Sequence, residues 1–310
     1  MTSNNTPRIT VAQPGELLAS IPHLLGFHPA ESLVVLGLQG PSAATIGIVL
    51  RADLPPPSQA RDLAEYLLLP LAQHDSTAIA LIVVGRHNST DDLPHRELLA
   101  RCESVLVDGG FPVVHQLWTP NTAGGHRWYC YDEDDCTGVL ADPATTPLAA
   151  AVAEAGLTTY ASREDIVATL QPEPTETLAR RAASLDHLTD TTEPTNPPSD
   201  DPRSDDPPPD DPTRAKLGTV HAAIAAAAKK RPTLTDEEVI RLAGALSDHR
   251  VRDTCLDFDA LPNPAAAERL WTALTRATPA PERAEAACLL AFSAYARGDG
   301  VLAGIALAEA

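Results

Sequence analysis

Between Thr77 and Gly85 the chain reads "TAIALIVVG", and Ala78 to Val84 within it carry no polar side chain at all. A run this short, rich in β-branched residues and bounded by Thr and Gly, suits a strand better than a helix. Side chains alternate between the two faces of a strand, so an unbroken apolar run predicts cover on both faces. That requirement leads to a layered domain with helices above and below a central sheet. The flanking sequence supplies the other layers. "SLVVLGL" (Ser32 to Leu38) and "ATIGIVL" (Ala44 to Leu50) read as neighbouring strands joined by the turn residues of "QGPSA". From Pro57 to Gln73, apolar residues recur at helical spacing at Leu63, Tyr66, Leu67 and Leu71, with Pro70 placed to end or kink the helix. Pro94 to Gly110 reads as a second helix stopped by a double Gly, "PVVHQLW" (Pro112 to Trp118) as a further strand, and "HRWYCY" (His126 to Tyr131) as another. "TTPLAAAVAEAG" and "SREDIVATL" are helical, the latter with Ser162 as N-cap and Asp165 in its first turn.

Residues 189–213, "TDTTEPTNPPSDDPRSDDPPPDDPT", break this alternation. Proline and acidic residues without apolar partners cannot offset their ordering entropy by burial, so the segment is expected to be a disordered linker, extended and mobile. Beyond it the patterns are helical. "AKLGTVHAAIAAAAKKR" ends in cations, "TDEEVIRLAGAL" opens with a Thr235/Glu238 capping box, and "AAAERLWTALTRA" and "RAEAACLLAFSAYARGDGVLAGIALAEA" follow. The expected organisation is a mixed-sheet α/β domain over residues 1–188, the linker, and an all-α domain of helical hairpins over 214–310. The final hairpin is similar to a tetratricopeptide unit.

A net charge of −19 repels phosphate backbones and anionic lipid, which excludes nucleic acid and membrane surfaces as expected partners. The N-terminus has no basic segment followed by an apolar run, and no stretch approaches the roughly 20 apolar residues of a membrane span, so a cytoplasmic protein is expected. Cys102, Cys130, Cys136, Cys255 and Cys288 are odd in number and scattered, which predicts reduced thiols.

The strings "LLASIPHLLGFHPAESLVVLGL", "RWYCYDEDDC", "ASREDIVATL", "ALSDHRVRDTCL" and "LLAFSAYARGDGVLAGIALAEA" resemble the domain of unknown function 4192 family, found mainly in high-GC Gram-positive bacteria. The resemblance covers most of the chain outside the Pro/Asp segment. It implies family membership and no particular activity, cofactor or catalytic residue. Two departures stand out: the family shows a Cys-Cys-Pro where Cys136 here precedes Thr137, and its chains continue past the position of Ala310.

Candidate functional residues fall in three groups. In "GFHPAES", His28, Glu31 and Ser32 have the residue types of a catalytic triad. A turn is the preferred reading: Gly26 ends a helix, Pro29 fixes the bend, and Glu31 and Ser32 hydrogen-bond the approach to a strand. The turn feeds the amino end of its strand, whereas ligands of open α/β sheets gather beyond carboxyl ends. Better placed are "GRHNSTDD", where Arg86 offers an anion clamp and His87 a group titrating near neutrality, and "WTPNTAGGHRW", where Trp118 offers a stacking face and Asn121 an amide. His28 is retained as a binding candidate beside these four. The third group is His126, Cys130 and Cys136, with Asp134 or Asp135, as a lesser zinc reading; paired Cys-x2–4-Cys knuckles are missing, so no metal is expected. Phosphate-loop, dinucleotide and His-Glu-x-x-His motifs are absent, and no cofactor is expected. Arg252, in "VRD", reads as an ion-pair residue pinning adjacent helices.

The reading reached from sequence is a non-enzymatic binding or adaptor protein that meets a protein partner, or a second copy, through its helical domain. The alternative is a hydrolase- or transferase-type enzyme with its site on the Arg86 and Trp118 loops. Limited proteolysis is expected to cut first between Thr189 and Thr213, and elemental analysis of protein purified without chelator is expected to find no stoichiometric zinc.

Overall fold

The computed structural model describes residues 13–40, 43, 45–87, 92–133, 135–191, 212–257 and 261–310. Its strands are β1 (Ser32–Gln39), β2 (Thr45–Asp53), β3 (Ala78–Val84), β4 (Val113–Thr119), β5 (Arg127–Cys130) and β6 (Thr137–Val139). They form one sheet in the order β2-β1-β3-β4-β5-β6. Every residue of β3 is buried, as its unbroken apolar run requires. Among these described strands only β3 and β4 pair in parallel; β1 runs antiparallel to both β2 and β3, and β4, β5 and β6 continue antiparallel. The sheet is therefore mixed.

Four helices accompany it: α1 (Pro14–Leu25), α2 (Ala60–Gln73), α3 (Arg96–Asp108) and α4 (Pro147–Glu154). The alternation of side chains separates their roles. Leu33, Val35, Leu81 and Val83 point to one face and pack with Leu67 and Leu71 of α2 and Leu98 and Leu106 of α3. On the opposite face, Trp128 of β5 lies so close to α1 that a Cβ at Gly15 would sit 3.1 Å from its Nε1. α1 buries Leu17, Leu18 and Ile21, and Gly26 ends it in the left-handed conformation at φ 77°. The chain crosses from β2 to β3 through α2, and from β3 to β4 through α3, on the same side of the sheet.

The remaining helices are α5 (Arg163–Thr169), α6 (Thr175–Thr191), α7 (Pro212–Lys229), α8 (Asp236–Leu246), α9 (His249–Leu256), α10 (Pro264–Ala277), α11 (Arg283–Ala296) and α12 (Gly300–Ala308). α10 is their centre. Its Trp271, Leu270 and Leu274 are wholly buried, and it packs against both α7 and α11, whose Ile224, Leu290 and Ala294 are buried as well. The Thr235/Glu238 capping box forms at α8, with Thr235 N–H donating to Glu238 Oε2 at 2.8 Å. Arg252 of α9 pairs with Glu285 of α11, joining two helices of the unit.

The chain divides into two compact units, Met1–Arg163 and Glu164–Ala310. Residues 164–188, placed with the sheet by sequence pattern, thus belong with the helices. Arginines hold them there. Arg181 of α6 is 3% exposed; it pairs with Glu173 at 2.9 Å and Asp236 at 2.8 Å and donates to the Ala277 carbonyl at 2.6 Å. Arg276 and Arg283 donate to the carbonyls of Gln171 and Leu170 at 3.2 and 3.1 Å. Such bonds leave no trace in hydrophobic periodicity. Most of 189–213 lies outside the described residues, but its ends extend α6 to Thr191 and start α7 at Pro212.

Removing the buried guanidinium in Arg181→Ala is expected to lower the stability of the helical unit by about 2 kcal/mol in chemical denaturation, because three acceptors lose their donor together. Asp236 accepts hydrogen bonds from Arg180 and Arg181, which hold its carboxyl below the usual range. Its contribution to stability is therefore present above the ordinary aspartate pKa of about 3.9 and is lost as pH falls through the folded value. Denaturation followed down through that range should show a shallower loss for Asp236→Asn than for the wild type.

Candidate functional site at one end of the sheet

Antiparallel pairing sets Ser32, the first residue of β1, opposite Val84, the last of β3. The entrance to β1 therefore shares an end of the sheet with the exits from β3 and β4. This corrects the expectation that the "GFHPAES" turn lies at the wrong end for a ligand: that rule assumes parallel strands, and β1 is reversed.

The turn is tied down residue by residue. His28 N–H donates to the Tyr160 carbonyl at 3.1 Å, and the Glu31 carbonyl accepts from Leu54 N–H at 3.0 Å. Ser32 Oγ donates to the Ala30 carbonyl at 2.7 Å and accepts from Arg51 Nε at 2.9 Å. Glu31 takes a left-handed φ of 44°, uncommon for a side chain of its size, and its Oε1 accepts from Arg86 N–H at 3.0 Å. The imidazole of His28 bonds through Nδ1 to Thr122 Oγ1 at 3.0 Å. His28, Glu31 and Ser32 thus have separate partners, and no bond links them as nucleophile, base and orienter.

The loops after β3 and β4 meet here, as neighbouring strands require. Gly85 N–H donates to the Thr119 carbonyl at 3.1 Å, and the His87 ring lies edge-on to Trp118 with centroids 6.4 Å apart. Arg86 and His87 are exposed; residues 88–91 of the same loop lie outside the described residues. Trp118 offers no stacking face to a ligand. It is 2% exposed, packs at 5.5 Å from Tyr129 within the core shared with α2 and α3, and donates Nε1–H to the Gly85 carbonyl at 3.0 Å. The amide of Asn121 is also engaged, since its Oδ1 accepts from Ala123 N–H at 2.7 Å.

Beside His28 opens a depression of about 390 Å³ lined by His23, Gly124, Asp142, Pro143 and Thr159. A Cβ at Gly124 would fall 2.8 Å from the Asp142 backbone, so only Gly lets the two loops close this wall. His23 Nε2 donates to the Pro143 carbonyl at 2.9 Å, which fixes its proton there. Its Nδ1 meets Thr159 Oγ1 at 2.8 Å and, in the neutral ring, accepts. Burial, and then the neighbouring His23, lower the pKa of His28 against an opposing effect of Asp142. His95, at φ 60° before α3, is lowered by burial and by His87 while Glu31 raises it. Sequence reading missed His23, His95, Thr122, Asp142 and Thr159, which lie far apart along the chain and meet only through the sheet. One signal was in reach: Gly124 and Gly125 mark a close backbone approach.

The zinc candidates do not converge. Cys130 ends β5 and Cys136 immediately precedes β6, but His126 is exposed and four residues from Cys130 along an extended chain, a separation of about 13 Å. No group of three metal-ligating side chains occurs among the described residues.

A mixed, doubly covered sheet with a polar end, followed by a helical unit, defines the class of protein. The match to the family model named Domain of unknown function (DUF4192) spans residues 14–310, and the chain belongs to that family. No curated protein and no solved structure matches it. Among the described residues, no helix is long and apolar enough to cross a membrane.

Two outcomes follow for the site. Ser32→Ala, which strips a bond from both the Ala30 carbonyl and Arg51, should cost about 1 kcal/mol in denaturant titration. Because the folded state holds His28 below its ordinary pKa of about 6.5, the unfolded chain takes up this proton first as pH falls. Stability should therefore drop as pH is lowered through that value, and His28→Gln should flatten the drop.

Proposed function

We propose that the protein is a non-enzymatic binding protein of the adaptor type. The α/β unit meets a small polar ligand at the His28 end of the sheet, and the helical unit meets a protein partner. The observation that carries this reading is how the polar groups at the sheet end are used. Glu31, Ser32, Asn121, His23 and Trp118 each spend hydrogen bonds on holding loops together. A catalytic constellation needs a nucleophile and base within mutual reach, and this arrangement instead favours a shaped surface. The hydrolase or transferase alternative draws on Arg86, His87, Trp118 and Asn121, and the burial of Trp118 weighs against it.

In the helical unit, the α11–α12 hairpin is covered on one side by α10. Leu289, Leu290 and Ile305 are buried, with α10 packed on α11, while Phe292, Tyr295 and Leu307 stay exposed. With a net charge of −19, two copies repel each other, so we assign this surface to a different protein carrying positive charge.

Thermal-shift screening of the full chain against a panel of small sugars, amino acids and carboxylic acids tests the first half. The expected result is a compound that raises the melting temperature, loses that effect in His28→Ala, and is recovered chemically unchanged. A compound recovered transformed would establish the enzyme reading instead. Light scattering across a wide concentration range tests the second half, with a monomer expected throughout; a dimer abolished by Tyr295→Asp would show that the partner is a second copy.

A further inference from the structure

β5 and β6 pair Trp128 with Gly138 and Tyr129 with Thr137, and the same register continued by one residue sets Cys130 opposite Cys136, just before β6. Cys130 N–H donates to the Cys136 carbonyl at 2.9 Å. Cys136 N–H turns instead to the Glu133 carbonyl at 3.1 Å, so a single backbone bond closes the pair; side chains of opposed residues leave the same face of the ladder, and opposed Cα atoms lie about 4.5–5.5 Å apart, within the range that a disulfide spans. Ionised Cys130 raises the pKa of the Cys136 thiol, as neighbouring sulfurs do. Both are half-buried, whereas Cys102 and Cys255 are buried.

From this register and contact we propose that Cys130 and Cys136 form a redox pair that closes to an intramolecular disulfide by exchange with a small disulfide. Burial, the neighbouring Cys130, and the carboxylates of Glu133 and Asp132 push the Cys136 thiol up to about 11. In the proposed order Cys130 is the first nucleophile. Its thiolate attacks one sulfur of the small disulfide, the S–S bond breaks, and one small thiol leaves, giving a mixed disulfide on Cys130. Cys136 then loses its proton and attacks Cys130 Sγ, expelling the second small thiol. Two electrons pass from the protein to the small disulfide, and the two thiol protons end on the two released thiols. Asp132, Glu133 and Asp135 are exposed around the pair, so a cationic disulfide is drawn in and an anionic one repelled.

The pair lies outside the His28 depression and stands independently of the ligand proposed there. Closure would nevertheless act on the same end of the sheet. Tyr131, next to Cys130, donates its hydroxyl to the Pro94 carbonyl at 2.6 Å, and the Arg96 guanidinium sits 5.5 Å over its ring, at the start of α3.

The test uses the full chain treated with cystamine under native conditions, then alkylated and mapped by mass spectrometry. The expected product is a Cys130–Cys136 link with the loss of two hydrogens, and Cys102, alkylated only after denaturation, should carry no cysteamine, since burial shields it while the fold is intact. The oxidised protein should melt higher than the reduced one, and Cys130→Ser should show no such rise on treatment. Stable cysteamine adducts on either thiol without the link, or two unmodified thiols after prolonged treatment, would overturn the proposal. Cys136→Ser supplies the second arm: it should trap the mixed disulfide on Cys130, and failure to do so while the variant remains folded would also overturn it.

Discussion

The reversed direction of β1 beside β3 is the constraint on which the sheet end depends. Seven residues of β1, buried throughout, pair in register with seven of β3, from Ser32 opposite Val84 to Leu38 opposite Ala78. A slip of one residue would send each side chain into the opposite layer, where the neighbours differ in shape, so packing against the two helical layers holds the register. With that register set, the "GFHPAES" turn has one place to go, and Glu31 meets the backbone of Arg86. Without it, His28 would not reach Thr122, and the depression beside His23 would lose a wall. A long apolar pairing in the core thus decides the arrangement of polar groups at the surface.

How much of this was legible from sequence depended on the kind of interaction. β3 announced itself because burial on both faces imposes one composition, and the Thr235/Glu238 cap because its two side chains are three residues apart. β6 went unseen: Thr137, Gly138 and Val139 are too few to show a period. The direction of β1 was also hidden, since alternation reports which face a residue takes and says nothing about the strand's sense. The site inherited that uncertainty. Trp118 looked available because it ends a strand next to Gly-rich loops, yet its parity places it with Leu33 and Val83 in the core.

The second unit shows the same division between local and distant signals. Helices α7, α8, α10, α11 and α12 follow from their caps and periodicity, while the membership of α5 and α6 rests on guanidinium groups reaching carbonyls about a hundred residues away. A charged residue on an otherwise polar helix reads as solvated, and Arg181 is nevertheless 3% exposed. Its stem and head fill a gap between α6, α8 and the end of α10, so it serves packing and pairing together.

Since α6 and α7 belong to the same unit, the Pro/Asp segment between Thr191 and Pro212 joins two parts of one structure and does not bridge the sheet to the helices. A chain severed there would behave as a complementation pair. The piece carrying the sheet would keep Arg181 and the Leu170 carbonyl, the other would keep Asp236, Ala277 and Arg283, and each would present the half of a polar seam that the other completes. Residues 214 to 310 taken alone are accordingly an incomplete fold, open along the face that α5 and α6 occupy, and they would be restored by adding the severed N-terminal piece in trans.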